Sequence, residues 1–93
     1  MPQFLYLNAL TNQYKTDFEE ATINAKKAWE SGNIELYRSY LAKADTFYMA
    51  LLRYRNIVLN RPRWKGQKTY ADQILQQLDP AFFKGYFHIK IDK

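Results

Sequence analysis

Residues 28–44, AWESGNIELYRSYLAKA, contain a three-residue break, Ser31-Gly32-Asn33, between two segments with helical periodicity. Gly32 suits the left-handed conformation that often follows a helix, and Asn33 is a favourable N-cap for a helix that begins at Ile34. Because the connection is so short, the two helices must run antiparallel. This stretch therefore predicts a helical hairpin.

The first arm of the hairpin is the segment before the break. Between Pro2 and Gly32 the chain has no glycine or proline, and its apolar residues recur every three or four positions. They are Leu7, Leu10, Tyr14, Phe18, Ala21, Ala25 and Ala28. This spacing is typical of one face of an amphipathic helix, so we predict a helix over about residues 3–31.

The second arm has an apolar seam with similar spacing: Ile34, Tyr37, Leu41, Ala44, Tyr48, Leu51, Arg55 and Val58. The seam predicts a helix over residues 34–60, which stops at Arg61 because the residue before a proline avoids the helical region. Antiparallel packing would place Leu7 opposite Val58. Since Arg55 lies on the seam, we expect its stem to pack and its charged head to reach solvent or to pair.

The rest of the chain predicts a short third helix and an extended tail. Residues 62–68, PRWKGQK, look like a loop, and Thr69 with Asp72 has the spacing of a capping box, with Asp replacing the usual Glu or Gln. We predict a helix over residues 70–78. In the tail, residues 86–93, apolar Phe87, Ile89 and Ile91 alternate with Tyr86, His88 and Lys90, which is a strand period. We expect this apolar face to be an interface, along the bundle or in a homodimer.

Together these elements predict one small all-α domain over residues 1–93: a long antiparallel helical hairpin, a short third helix and an extended C-terminal tail. Hydrophobic residues make up 47% of the chain, which is enough for a modest core. The N-terminal segment has neither a basic region nor a long apolar run, so we expect no signal peptide and no membrane span. Because the chain has no cysteine, we expect a reducing, cytoplasmic location.

The net charge of +5 is concentrated in residues 53–68, RYRNIVLNRPRWKGQK. This basic stretch has no acidic residue and six basic ones: Arg53, Arg55, Arg61, Arg63, Lys65 and Lys68. Residues 1–52 carry five basic and six acidic side chains, and residues 69–93 carry three of each. Trp64 lies among these cations, where it would either contact a base or a partner protein, or fold back over the open end of the hairpin.

The composition argues against catalysis. The chain has one histidine, no cysteine, no glycine-rich phosphate loop and no metal-ligand spacing, so we expect no catalytic residue, no metal and no cofactor. The favoured hypothesis is a small, non-enzymatic, basic module that binds an anionic partner, with nucleic acid preferred. The predicted contact residues are Arg53, Arg61, Arg63, Trp64, Lys65 and Lys68.

Two alternatives stay open at the level of sequence. The protein is also compatible with a protein-interaction adaptor or inhibitor, which would use its aromatic surface and its C-terminal tail while the cations steer an acidic protein partner. Contact with an anionic membrane surface is a weaker alternative, because the basic stretch mostly leaves the helix and has no apolar face of its own. Nucleic-acid binding that weakens steeply with salt would separate the favoured hypothesis from both.

Overall fold

The computed structural model describes residues 3–78 and consists of three α-helices and one short 3-10 turn over that range. The α-helices are α1 (Gln3–Glu30), α2 (Ile34–Ile57) and α3 (Lys65–Gln77), and the 3-10 turn is Pro62–Trp64. Helices α1 and α2 pack against each other, and α3 packs against both. The predicted all-α hairpin with a third helix is confirmed. The predicted tail, with Phe87, Ile89 and Ile91, lies outside the described residues.

The connection between α1 and α2 has the conformation that its sequence predicts. Gly32 has a left-handed backbone, with φ of 78°. The amide of Gly32 donates to the Trp29 carbonyl at 3.0 Å and that of Asn33 donates to the Ala28 carbonyl at 2.9 Å, which together form a Schellman motif. The Asn33 side chain then accepts a hydrogen bond from the Leu36 amide at 3.1 Å. One glycine therefore ends α1, and the next residue caps α2.

Near this turn the helices are held by small residues facing large ones. Ala25 and Ala28 of α1 are buried in one cluster with Tyr37 and Leu41 of α2. The alanines leave room for the Tyr37 ring, which has almost no exposed surface. Ala25 and Leu41, from opposite arms of the hairpin, thus share this cluster.

Towards the open end of the hairpin the core becomes larger and more aromatic. Phe18 lies against Tyr48, with ring centroids 6.1 Å apart, and Tyr14 lies against Tyr54 at 5.9 Å. Helix α3 covers this end with Ala71, Ile74, Leu75 and Leu78, all buried in the same cluster. Tyr70 is half-buried beside them. A hydroxyl–amide hydrogen bond between Tyr70 and Asn12 also links α3 to α1.

Tyr54 makes the buried polar contact between α1 and α2. Its hydroxyl donates to the Leu7 carbonyl at 3.0 Å, although the two residues are 47 positions apart. Burial, with smaller contributions from Tyr14 and Tyr6, raises the pKa of Tyr54 to about 12. Val58, which the sequence predicts opposite Leu7, is 38% exposed, and it is Tyr54 that reaches the Leu7 backbone.

Helix α2 ends at Ile57, three residues before the predicted end at Asn60. The reason is Leu59, which is fully buried and leaves the helix to join the core. Its amide donates to the Tyr54 carbonyl at 3.1 Å, five residues back, so the last turn is wider than an α-helical one. Arg61 is extended, with φ of −140° and ψ of 146°, as expected for a residue before a proline.

Helix α3 begins at Lys65, five residues before the predicted start, so most of PRWKGQK is not a loop. Pro62 opens the 3-10 turn, where its missing N–H has little cost, and the turn runs directly into α3. Thr69 is therefore inside the helix and not its cap. Its hydroxyl donates to the Lys65 carbonyl at 3.0 Å, a bond that threonine commonly makes within helices.

Replacing Ala25 with Trp should destabilise the fold, because this position is fully buried between two closely packed helices. We expect a loss of about 1–3 kcal/mol in the free energy of unfolding, measured by urea denaturation followed by circular dichroism. Ile23→Trp is the matched control, since Ile23 is 53% exposed on the same helix. Equal stability of the two variants, or a spectrum dominated by strand, would contradict this packing.

Replacing Tyr54 with Phe should cost about 0.5–1.5 kcal/mol at neutral pH, because the bond to the Leu7 carbonyl is lost. The contribution should also depend on pH. Since the pKa of Tyr54 is about 12 in the folded protein and about 10 when unfolded, its stabilisation is complete below pH 10 and is lost as the pH rises towards 12. The advantage of the parent protein over Tyr54→Phe should shrink across that window. A difference that stays constant from about pH 8 to pH 12 would refute this assignment.

Candidate functional site

The basic stretch, residues 53–68, lies at the open end of the hairpin and is divided among four structural segments. Arg53 and Arg55 lie near the end of α2, Arg61 is in the linker, and Arg63 is in the 3-10 turn. Lys65 and Lys68 are in the first turn of α3. Because the chain reverses direction here, side chains from different segments are brought to one corner of the molecule.

Three of the predicted site residues line one open concavity of about 350 Å³, which we call the basic pocket. They are Arg61 from the linker and Lys65 and Lys68 from α3. Among residues 3–78 the lining is Asn60, Arg61, Pro62, Lys65, Lys68 and Thr69. This described lining has three positive side chains and no carboxylate.

Two hydrogen bonds orient the neutral groups of the basic pocket. The Lys68 ammonium donates to the Asn60 side-chain oxygen at 3.2 Å, so the Asn60 amide keeps its NH₂ group as a donor. The Thr69 hydroxyl donates its hydrogen bond to the Lys65 carbonyl, so the Thr69 side chain has no donor left for a ligand. The donors available to an anion are thus the Arg61 guanidinium, the two ammonium groups and the Asn60 amide.

The cations of α3 lie at the end of the helix that is electrostatically least favourable for them. The N-terminus of a helix carries a partial positive charge, which acidic residues in the first turn usually offset. The first turn of α3 has no acidic residue, and Lys65 and Lys68 occupy it instead. An anion bound in the basic pocket would be attracted both by these side chains and by the helix end.

Trp64 is half-buried and packs against the main core, so the structure shows the folded-back arrangement and not a free ring. The Arg63 guanidinium carbon lies 5.5 Å from the Trp64 ring centroid, within cation–π range. The Trp64 ring therefore holds the Arg63 guanidinium group in place by a cation–π contact. Arg63 itself is exposed, as is Arg53 on α2, and neither lines the basic pocket.

Within residues 3–78, Arg55 is the one member of the basic stretch that is held by a carboxylate. Its Nε donates to Asp72 Oδ1 at 2.6 Å and its Nη2 donates to Asp72 Oδ2 at 3.2 Å, a bidentate pair that joins α2 to α3. The hydrogen bond to Asp72 is the main cause that raises the pKa of Arg55. The predicted pairing of this seam arginine is thus observed, whereas the predicted capping role of Asp72 is wrong.

Sequence reasoning missed Asn60 and Thr69 as parts of the pocket. Neither has a charge, and only the early start of α3 brings Thr69 next to the linker. The exposure of two apolar residues within the basic stretch was also not predicted: Ile57 and Val58, at the end of α2, are 69% and 38% exposed. The sequence signal for the early start of α3 was Pro62, since proline is common at the first position of a helical turn.

The side chains of the basic pocket are donors of the kind that form charge-assisted hydrogen bonds. Among the side chains described, no three His, Asp or Glu residues gather in a way that could hold a metal ion. None of the helices in residues 3–78 is both long and apolar enough to cross a membrane. Comparisons of the chain with models of protein families, with curated proteins and with solved structures find no match.

The Arg55–Asp72 pair should contribute measurably to the docking of α3, because its geometry is bidentate and both side chains are partly buried. In a double-mutant cycle with Arg55→Gln and Asp72→Asn, we expect a coupling energy of about 0.5–1 kcal/mol, measured by urea denaturation at low salt. The coupling should weaken at about 0.5 M NaCl. A coupling energy of zero at low salt would show that the pair does not stabilise the fold.

Proposed function

We propose that this protein is a non-enzymatic nucleic-acid-binding module that contacts the phosphate backbone through the basic stretch. The observation that supports the proposal is the basic pocket, where three cations meet and no carboxylate lies among the described lining residues. Unpaired like charges repel one another, so their grouping in one concavity is unfavourable until an anion binds. The proposed contacts are Arg53, Arg61, Arg63, Lys65 and Lys68.

The chemistry of these side chains suits phosphate. Arg61 and Arg63 offer planar guanidinium groups that match two phosphate oxygens, and Lys65 and Lys68 act as compact positive charges. The only carboxylate of α3, Asp72, is paired with Arg55 and does not line the basic pocket. Phosphate contacts of this kind set affinity and orientation while carrying little sequence information.

Trp64 has a supporting role in this proposal. Because its ring packs against the core and lies beneath Arg63, it does not offer a free face on which a base could stack. We therefore propose that Trp64 positions Arg63 and that binding depends on phosphates more than on bases. This revises the contact expected from the sequence at this residue.

An adaptor that binds an acidic protein surface is the second candidate. The exposed Ile57 and Val58 within the basic stretch favour it, since protein interfaces combine apolar and charged residues. The homodimer through Phe87, Ile89 and Ile91 and the cytoplasmic location stay predictions of the sequence.

Replacing Arg61, Arg63 and Lys65 together with Ala tests the proposal. We expect weaker binding to every nucleic-acid sequence and a salt dependence of log K that is flatter by up to about three units, because up to three phosphate contacts are removed. Gel shift or fluorescence anisotropy over a salt series gives both quantities, and circular dichroism checks that the fold is intact.

The matched control replaces Lys26, Lys27 and Arg38 with Ala. All three are exposed near the turn of the hairpin, and the change in net charge is the same. This control should bind like the parent protein. If the control and the triple variant bind alike, or if the parent protein shifts no probe at low salt, the nucleic-acid proposal fails and the protein adaptor becomes the better explanation.

A further inference from the structure

The basic pocket differs in shape and charge from the rest of the basic stretch. We infer, on the premise of the proposed function, that the pocket receives the terminal phosphate monoester of a nucleic-acid strand. The exposed arginines outside it, Arg53 and Arg63, contact the phosphodiesters of the same strand.

The shape of the pocket favours a terminal group. It is a concavity lined by two segments, the linker with Asn60 and Arg61 and the first turn of α3 with Lys65 and Lys68. A phosphodiester within a strand needs a path for the chain on both of its sides. A terminal phosphate is joined to the strand on one side only. It can therefore sit inside a concavity, whereas an internal phosphate needs room for the strand to enter and to leave.

The charge of the pocket favours a terminal group as well. A phosphate monoester carries about −1.5 to −2 at pH 7 and has three terminal oxygens, whereas a phosphodiester carries a single negative charge. The pocket supplies three positive side chains and no carboxylate. The Asn60 amide, whose oxygen is already bonded to Lys68, adds a neutral donor. Three cations and a further donor match three anionic oxygens better than they match two.

The arrangement also distinguishes a strand end from a free nucleotide. A mononucleotide has one phosphate and leaves Arg53 and Arg63 without a partner, since neither lines the pocket. A strand with a terminal phosphate engages the pocket and the outer arginines at once, and contacts made by linked groups reinforce one another. We therefore expect the strand to bind much more tightly than the nucleotide.

Anisotropy titrations of the full chain at low salt test the inference. The probes are two oligonucleotides of about 12 nucleotides, long enough to reach the outer arginines, that differ only in a 5′-phosphate or a 5′-hydroxyl. We expect the phosphorylated strand to bind about tenfold more tightly, the size of effect given by a few charge-assisted hydrogen bonds. A 3′-phosphorylated strand tests whether either end is accepted, and thymidine 5′-monophosphate serves as a competitor.

Two variants test whether the basic pocket is the source of the preference for a phosphorylated end. Lys65→Gln with Lys68→Gln should abolish the preference for the phosphorylated end, while Arg53→Gln should weaken binding of both strands equally and keep the preference. Circular dichroism and urea denaturation confirm that the variants are folded.

The failures of the inference and of the proposed function are distinguishable. Equal, salt-dependent binding of hydroxyl and phosphorylated strands, with no preference for either 3′ or 5′ phosphate, overturns the inference and leaves the proposed function in place. A preference that survives in the double Lys variant also overturns it, because the pocket would not be its source. A mononucleotide that competes as well as the strand assigns the pocket to free phosphate monoesters and overturns the strand-end inference. Absence of binding to any strand at low salt overturns both.

Discussion

Leu59 is fully buried although α2 ends two residues before it, and the geometry of the candidate site depends on this burial. The chain leaves α2 after Ile57, and this departure lets the Leu59 side chain turn into the core. The departure sets the direction of the linker, so that Arg61 is extended and Pro62 can begin a new turn. That turn joins α3 without a gap, and α3 brings its first lysines back beside the linker. An apolar contact thereby determines where the cations meet.

The hairpin was predictable because its signals are local. A left-handed glycine and an N-cap act within a few residues, and the apolar spacing of α1 is regular, so its observed end at Glu30 is within one residue of the prediction. The end of α2 and the start of α3 were not predictable in the same way. Both depend on whether Leu59 enters the core, which is a tertiary contact that the pattern of α2 does not contain. Gly66 within α3 also weakened the helical signal there, although the structure tolerates it.

The candidate site, too, was only partly predictable from the sequence. The concentration of positive charge was visible in the sequence, because composition does not depend on the fold. The separation of that charge into different groups was not visible. Arg55 is bound to Asp72, whereas Arg61, Lys65 and Lys68 share the basic pocket, and Arg63 lies over Trp64. The spacing of Asp72 from Thr69 predicts a helix cap. Because α3 begins earlier, Asp72 lies inside the helix, where it pairs with Arg55 of α2.

Within residues 3–78, the distribution of carboxylates explains why Arg55 joins two helices while Lys65 and Lys68 have no ion-pair partner. Arg55 faces α3 at the level of its single acidic residue, so it gains a bidentate partner and holds the helix in place. The cations one to two turns earlier in α3 have no such partner, and the positive end of the helix dipole adds to their repulsion. A protein selected for stability alone would gain from an acidic residue in that first turn. The presence of lysines there, in a concavity that also contains an arginine, follows more simply if the missing negative charge is supplied by a phosphate.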